Sequence, residues 1–203
     1  EYANLDGLRV DTYPYIEMVP GSEWVKAIMD EYPNFNIVGE CWTRPTPAVA
    51  YWQSGVKNHN GFDSHLPSVM DFPLEEAIRQ ALESDSQGWG GGLTRVYDVL
   101  TMDYMYADVN DILIMLGNHD MDRIADVVKD QDPRRVKLAY TLLATMRGIP
   151  QVFYGDEYAM KSADRKLGHS TLRMPLPLGE EVTAEMQDMF DYQSRLFQWR
   201  KGE

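Results

Sequence analysis

Asp111-Ile112-Leu113-Ile114-Met115-Leu116 is an almost unbroken apolar run, closed by Gly117-Asn118-His119-Asp120. A run this short with no polar alternation suits a strand covered on both faces, as strands of parallel sheets are. Working outward, the same design recurs. Gly7-Leu8-Arg9-Val10-Asp11, Asn36-Ile37-Val38-Gly39-Glu40, the weaker Ser68-Val69-Met70-Asp71 and Ile149-Pro150-Gln151-Val152-Phe153-Tyr154 are each short and apolar, with polar residues at or just after the end.

Between these strands the spacing predicts amphipathic helices. Residues 22–32 place Trp24, Val25, Ile28 and Met29 on one side and stop at Pro33. Pro73 suits the first position of a helix whose buried stripe is Leu74, Ala77, Ile78, Ala81 and Leu82. Residues 93–105 read as helical with Leu93, Val96, Tyr97 and Leu100 inward, and Asp132-Pro133 signals a helix running to about Met146. Thr183 caps a final helix with Met186, Met189, Phe190, Leu196 and Phe197 on its inner face.

Strand and helix in alternation imply an α/β fold with a parallel sheet, either doubly wound or an eight-fold barrel. No glycine-rich phosphate loop follows any strand, which weakens the dinucleotide-binding option. Polar groups at the carboxyl ends of successive strands mark the rim where a (β/α)8 barrel carries its chemistry. The reading is therefore a partial TIM barrel, about five of eight strands, with residues 1–203 as one domain.

The chain's 203 residues suffice for one large domain or two small ones, and 44% hydrophobic with 25% charged residues is an ordinary globular composition. No stretch approaches the roughly 18 consecutive apolar residues of a membrane helix. A net charge of −13 argues against nucleic acid and anionic membranes as partners but leaves neutral ligands such as sugars open. The single cysteine, Cys41, excludes an internal disulfide and a Cys-rich zinc site. His59, His65 and His169 lack the paired spacing of metal ligands and read as loop residues.

Side chains two apart on a strand share a face, so Arg9 and Asp11 point the same way, and a guanidinium beside a carboxylate favours its ionised form. A lone R-x-D is more often a structural ion pair. Glu40 precedes Cys41-Trp42; an aromatic neighbour and a less polar pocket would suit a carboxyl acting as general acid. Asp120 is a third carboxylate on the expected rim, with His119 beside it. Glycoside hydrolysis with retention uses two carboxylates about 5–5.5 Å apart. Adjacent strands lie about 4.8 Å apart, so Asp11 and Glu40 on successive strand ends fit that spacing.

Together these segments resemble the motifs of the α-amylase family. Gly7–Asp11 is similar to its G-x-R-x-D motif on the fourth barrel strand, Val38-Gly39-Glu40-Cys41-Trp42 to its fifth-strand motif, and Leu116-Gly117-Asn118-His119-Asp120 to its seventh. Gly148–Glu157 resembles the eighth-strand segment G-x-P-x-x-Y-Y-G-x-E, with Phe153 in place of the first Tyr. Asp-Thr-Tyr-Pro-Tyr at 11–15 most resembles the neopullulanase and cyclomaltodextrinase branch. The resemblance implies a retaining α-glucan hydrolase in which Asp11 is nucleophile, Glu40 acid/base and Asp120 the third catalytic carboxylate. It implies that Arg9 holds Asp11 and that His119 binds sugar hydroxyls. From their chemistry alone, Trp42, Tyr51, Trp52 and Tyr154 are candidate flat platforms for sugar rings, although aromatics more often fill a core. Transglycosylation by the same residues, non-catalytic α-glucan binding and an inert fragment are the alternatives.

The family's third-strand motif, D-x-x-x-x-N-H in form, has no counterpart here, so strands one to three and the domain inserted after the third are expected to lie outside the chain. No cofactor is assigned; a calcium ion is expected only in a protein that includes those parts. Five strands would leave two unpaired edges, an invitation to homodimerise. No targeting signal is legible, and the resemblance is compatible with a periplasmic or extracellular location.

Overall fold

A computed structural model of the chain describes residues 4–86, 88–163 and 167–202. The architecture is α/β. Strand β1 (Gly7–Val10) leads through a 3-10 turn at Tyr13–Tyr15 to α1 (Met18–Glu31), then β2 (Asn36–Gly39), α2 (Thr46–Ala50), β3 (Ser68–Val69) and α3 (Phe72–Glu83). The chain continues with α4 (Thr94–Leu100), β4 (Leu113–Met115), α5 (Ile124–Val127), α6 (Pro133–Thr145), β5 (Ile149–Gln151) and α7 (Ala184–Gly202).

β1, β2 and β3 form one sheet in that order. β1 runs parallel to β2 with Val10 opposite Gly39, and β2 parallel to β3 with Gly39 opposite Val69. A single parallel bridge joins Met70 to Leu113, and β4 pairs with β5 in a second, two-stranded sheet. Within the first sheet the neighbours are sequential and parallel with helices between them, as the apolar runs predict; the continuous five-stranded sheet expected of a partial barrel is instead two sheets joined by that one bridge.

The chain divides into two compact units. One comprises the residues up to Glu76 with Asp98–Ile114 and Arg147–Ile149; the other comprises Ala77–Tyr97, Met115–Met146 and the chain from Pro150 onward.

In the first unit Val25, Ile37, Leu66, Val69 and Ile112 are wholly buried. A polar network sits among them. Arg147 donates to Asp71 (2.6 Å) and, through Nε, to Asp103 (2.9 Å), while Tyr106 donates to Asp71. Asp71 is fully buried, and loss of hydration pushes its carboxyl above the usual range even with Arg147 beside it.

In the second unit α6 and α7 pack together. Thr141 bonds Tyr192 (2.7 Å), Lys137 pairs with Asp188 (2.6 Å), and Arg200 donates to the Ala144 and Met146 carbonyls at the end of α6 (2.9 and 2.7 Å). Asp132 caps α6 by accepting from the Arg134 N–H.

Several helix expectations need correction. α1 starts at Met18 rather than near residue 22, because Pro20 falls in its first turn, where no intrahelical N–H is required. Trp24 is 45% exposed, so the buried face of α1 is Gly21, Ser22 and Val25. Residues 93–105 are not one helix: α4 ends at Leu100 and a separate 3-10 turn covers Asp103–Met105. Leu93 and Tyr97 are exposed, leaving Val96 as the buried residue of α4. α3 begins one residue before Pro73, and its predicted stripe is buried in full. β5 stops at Gln151, and Phe190 is exposed on α7, stacked on Tyr158 (5.5 Å).

Candidate active site

The first unit brings Arg9, Asp11 and Glu40 together. Val10 and Gly39 are cross-strand partners, so Asp11 and Glu40 leave adjacent strands side by side. Backbone bonds fix the exit: Glu40 N–H donates to the Val10 carbonyl (2.9 Å) and Tyr13 N–H to the Glu40 carbonyl (3.1 Å). Gly39 is needed there, since a Cβ would lie 2.5 Å from Leu66 Cδ1 and 3.4 Å from the Tyr13 side chain.

Arg9 is shared between both carboxylates. Its Nη1 donates to Asp11 Oδ1 at 2.7 Å and its Nη2 to Glu40 Oε1 at 2.6 Å. The second oxygen of Glu40 accepts the Thr12 N–H (3.0 Å). Glu40 is 2% exposed, whereas the Asp11 side chain is 62% exposed. The Arg9 hydrogen bond holds the Asp11 carboxyl below the usual carboxylate range. Glu40 thus sits between charged and backbone donors rather than in the less polar pocket expected from its sequence neighbours.

A pocket of about 450 Å³ opens against Glu40, walled by Tyr15, Trp42, Trp52 and Ala48 with Thr12 and Thr43. Its size falls in the range of small-molecule sites. Trp42 is half exposed and stacked on Phe72 (5.0 Å, 11° between rings), which leaves one face of the indole open. Trp52 packs edge-on against Tyr13 and Phe62 at the pocket wall, and Tyr51 stacks on Phe62. Cys41 is wholly buried, and burial pushes its thiol far up.

Asp120, His119 and Tyr154 lie in the second unit. Asp120 N–H donates to Asn118 Oδ1 (2.8 Å), and the Asp120 carboxylate meets Arg173 (2.7 Å), His119 Nε2 (3.2 Å) and His169 Nδ1 (3.6 Å). Tyr154 donates its hydroxyl to the Met174 carbonyl (2.9 Å) and is 40% exposed. It follows β5 rather than ending it.

A pairing that the sequence does not announce holds this unit's loops. Arg123 has no solvent-exposed side-chain surface and pairs with Asp156 (2.7 Å); Tyr140 donates to the other Asp156 oxygen (3.0 Å). Burial pushes the Asp156 carboxyl up to about 6, outweighing Arg123 and Tyr140. The Asp-Glu after Tyr154 and the Arg three residues after Asp120 were visible signals; their pairing was not. Among the described residues no group of three or more His, Cys, Asp or Glu side chains is placed to hold a metal ion.

The model of the alpha amylase catalytic domain family matches residues 2–203. Among similar proteins, a cyclomaltodextrin glucanotransferase from Geobacillus stearothermophilus is 30% identical over 161 residues, 77% of this chain and 20% of that protein. An alpha-amylase from Streptomyces lividans is 28% identical over 190 residues, 85% of this chain and 19% of that protein. A solved cyclic alpha-maltosyl-(1→6)-maltose hydrolase from Arthrobacter globiformis superposes with a TM-score of 0.78 at 20% identity, covering 98% of this chain and 41% of that one. The Geobacillus thermoleovorans alpha-amylase solved with acarbose gives 0.77 at 24% identity, covering 98% and 41%. The chain thus spans about a fifth of the length of these two protein relatives and about two fifths of these solved chains.

Proposed function

We propose that this chain, which belongs to the alpha amylase catalytic domain family, carries the catalytic carboxylates of a retaining glycoside hydrolase acting on α-glucans. On this reading β1 to β5 are the fourth to eighth strands of an eight-stranded barrel, and both compact units are parts of one catalytic domain. Activity belongs to the chain joined to the remaining strands. The free edge of β1, which pairs only with β2 among the described residues, is where a further strand or a second copy would add.

The observation that carries the reading is Arg9 bonded to both Asp11 and Glu40. Two carboxylates on one guanidinium are close neighbours. That favours the about 5–5.5 Å separation of retaining enzymes over the about 6.5–9.5 Å that leaves room for water in inverting ones. An exposed carboxylate held ionised is a competent nucleophile, and Glu40 beside it has the acid/base role that the family motif at the end of β2 implies. Asp11 attacks the anomeric carbon as the glycosidic C–O bond breaks and Glu40 gives its proton to the leaving oxygen. Glu40 then takes a proton from water, whose oxygen attacks the same carbon and frees Asp11. In the first unit Trp42 offers a flat face to a sugar; in the second, Asp120 and His119 are proposed to bind sugar hydroxyls, with Tyr154 as a further flat face.

The pocket beside Glu40 favours a second outcome of the same chemistry. Its aromatic walls suit a sugar in place of water as the acceptor, and one of the relatives is a glucanotransferase.

Trapping tests the mechanism. A slow fluorinated α-glycosyl fluoride, with the active protein, should leave a sugar on the peptide containing Asp11, seen by mass spectrometry and absent in Asp11→Asn. Turnover without any adduct, or an adduct on another residue, contradicts the assignment.

A further inference from the structure

Asp120 is gripped by a segment far along the chain. Arg173 spans the His119-Asp120 dipeptide, its Nε donating to the His119 carbonyl (3.2 Å) and its Nη2 to Asp120 Oδ1 (2.7 Å). A planar guanidinium that holds a backbone carbonyl and the next carboxylate at once restricts both the peptide and the carboxylate's rotation, which a single-point ammonium cannot do. His119 takes the other oxygen, at 3.2 Å from Oδ2.

Arg173 is itself about half exposed, yet its place is set by buried groups. The preceding 3-10 turn, His169–Leu172, ends at Leu172, whose carbonyl accepts from Arg123 Nη2 (3.1 Å). Arg123 also donates to the Tyr154 carbonyl (2.8 Å) and Asp156 (2.7 Å). Its guanidinium lies over the Phe153 ring (4.5 Å) and near the Tyr154 ring (5.3 Å). Asp156 is tied to α6 by Tyr140 and to α7 by Gln193, which donates to its carbonyl (2.9 Å). The segment reaching Asp120 is thus anchored to the interior of its unit.

We propose that Arg173 is a positioning residue for Asp120, fixed in turn by Arg123 through the Leu172 carbonyl. The inference rests on the reading that Asp120 acts in α-glucan turnover. Without Arg173, Asp120 keeps its backbone bond to Asn118 and its contacts with His119 and His169, but loses the fork that ties its carboxylate to the His119 carbonyl and so gains rotational freedom. A misplacement of about 1 Å at a reacting centre costs about 100-fold in rate. Fold stability should barely change, because an ion pair with this exposure contributes little.

The test compares wild type, Arg173→Ala, Arg173→Lys and Asp120→Asn on a maltooligosaccharide, in the protein that joins this chain to its upstream barrel strands. Expected for Arg173→Ala is a kcat about 30–100-fold lower, with little change in KM or Tm. Arg173→Lys should not restore it, while added guanidinium ion should partly rescue Arg173→Ala and not Asp120→Asn. Arg173→Ala with kcat close to wild type, a loss that follows a fall in Tm, or full recovery by lysine overturns the proposal. Wild type without turnover, or Asp120→Asn as active as wild type, overturns the reading beneath it and the proposal together.

Discussion

Arg9 reaches from β1 to Glu40 at the end of β2, with Nη2 2.6 Å from Oε1, while its other terminal nitrogen holds Asp11 at 2.7 Å. One side chain therefore sets the relation between the two carboxylates, and it does so across adjacent parallel strands whose register is fixed by backbone bonds. The planar fork of arginine is what allows two anions to share one partner.

The first prediction concerns pH. Arg9 keeps the Asp11 carboxyl below its usual range, so the ionised nucleophile should persist as pH falls into the ordinary carboxylate region. In Arg9→Gln the acid limb of the kcat/KM profile should move to higher pH, and the rate on its plateau should fall by about 100-fold or more as the pair loses its alignment. An acid limb at the wild-type position in Arg9→Gln would contradict the role given to Arg9.

A second prediction concerns Gly39. Alanine there would place Cβ 2.5 Å from Leu66 Cδ1, and Leu66 is fully buried. Overpacking of this kind costs about 1–3 kcal/mol, which urea unfolding would register. Because Glu40 is the next residue, activity should fall further than stability alone explains. Unchanged stability would mean that Leu66 has room to move.

The Asp156 carboxyl gives a pH dependence of stability. Its folded value of about 6 lies above the roughly 3.9 of an unfolded aspartate. The fold therefore binds this proton more tightly. The contribution of Asp156 is fully present below pH ~4 and is lost as pH rises through ~6. The stability of wild type relative to Asp156→Asn should then be larger at pH 4.5 than at pH 7. A difference that grows with pH would mean that the pairing with Arg123 outweighs burial.

Removing Arg147 should be costly. It would leave Asp71, fully buried, without its main partner. Arg147→Met should lower stability by about 3–5 kcal/mol, read from urea unfolding. A loss under about 1 kcal/mol would show that Asp71 is accommodated as the neutral acid, hydrogen-bonded by Tyr106 and the Leu74 N–H.

Much of this was legible because local pattern encodes it. The apolar runs at 7–10 and 36–39 are strands, and 111–116 contains one at Leu113–Met115; Asp11 and Glu40 directly follow the first two, side by side because the strands pair in register. The α3 stripe and the Asp132 and Thr183 caps follow from helix periodicity and capping chemistry. The failures are equally local. Pro20 looks like a breaker until it is counted as a first-turn residue, and an apolar label on Trp24, Leu93 or Tyr97 says nothing of which face receives a partner. The pairings Arg147–Asp71, Arg173–Asp120 and Arg123–Asp156 join residues 76, 53 and 33 positions apart, and no local spacing announces them.

The central claim is tested most directly by reducing-sugar release from maltooligosaccharides and pullulan. The protein should join this chain to its upstream strands, with Glu40→Gln as control and the chain itself assayed alongside. The account predicts release by the wild type that vanishes in Glu40→Gln and is absent or much weaker in the chain by itself. A folded wild-type protein that releases no sugar from any α-glucan, or a Glu40→Gln variant that releases it at the wild-type rate, would contradict it.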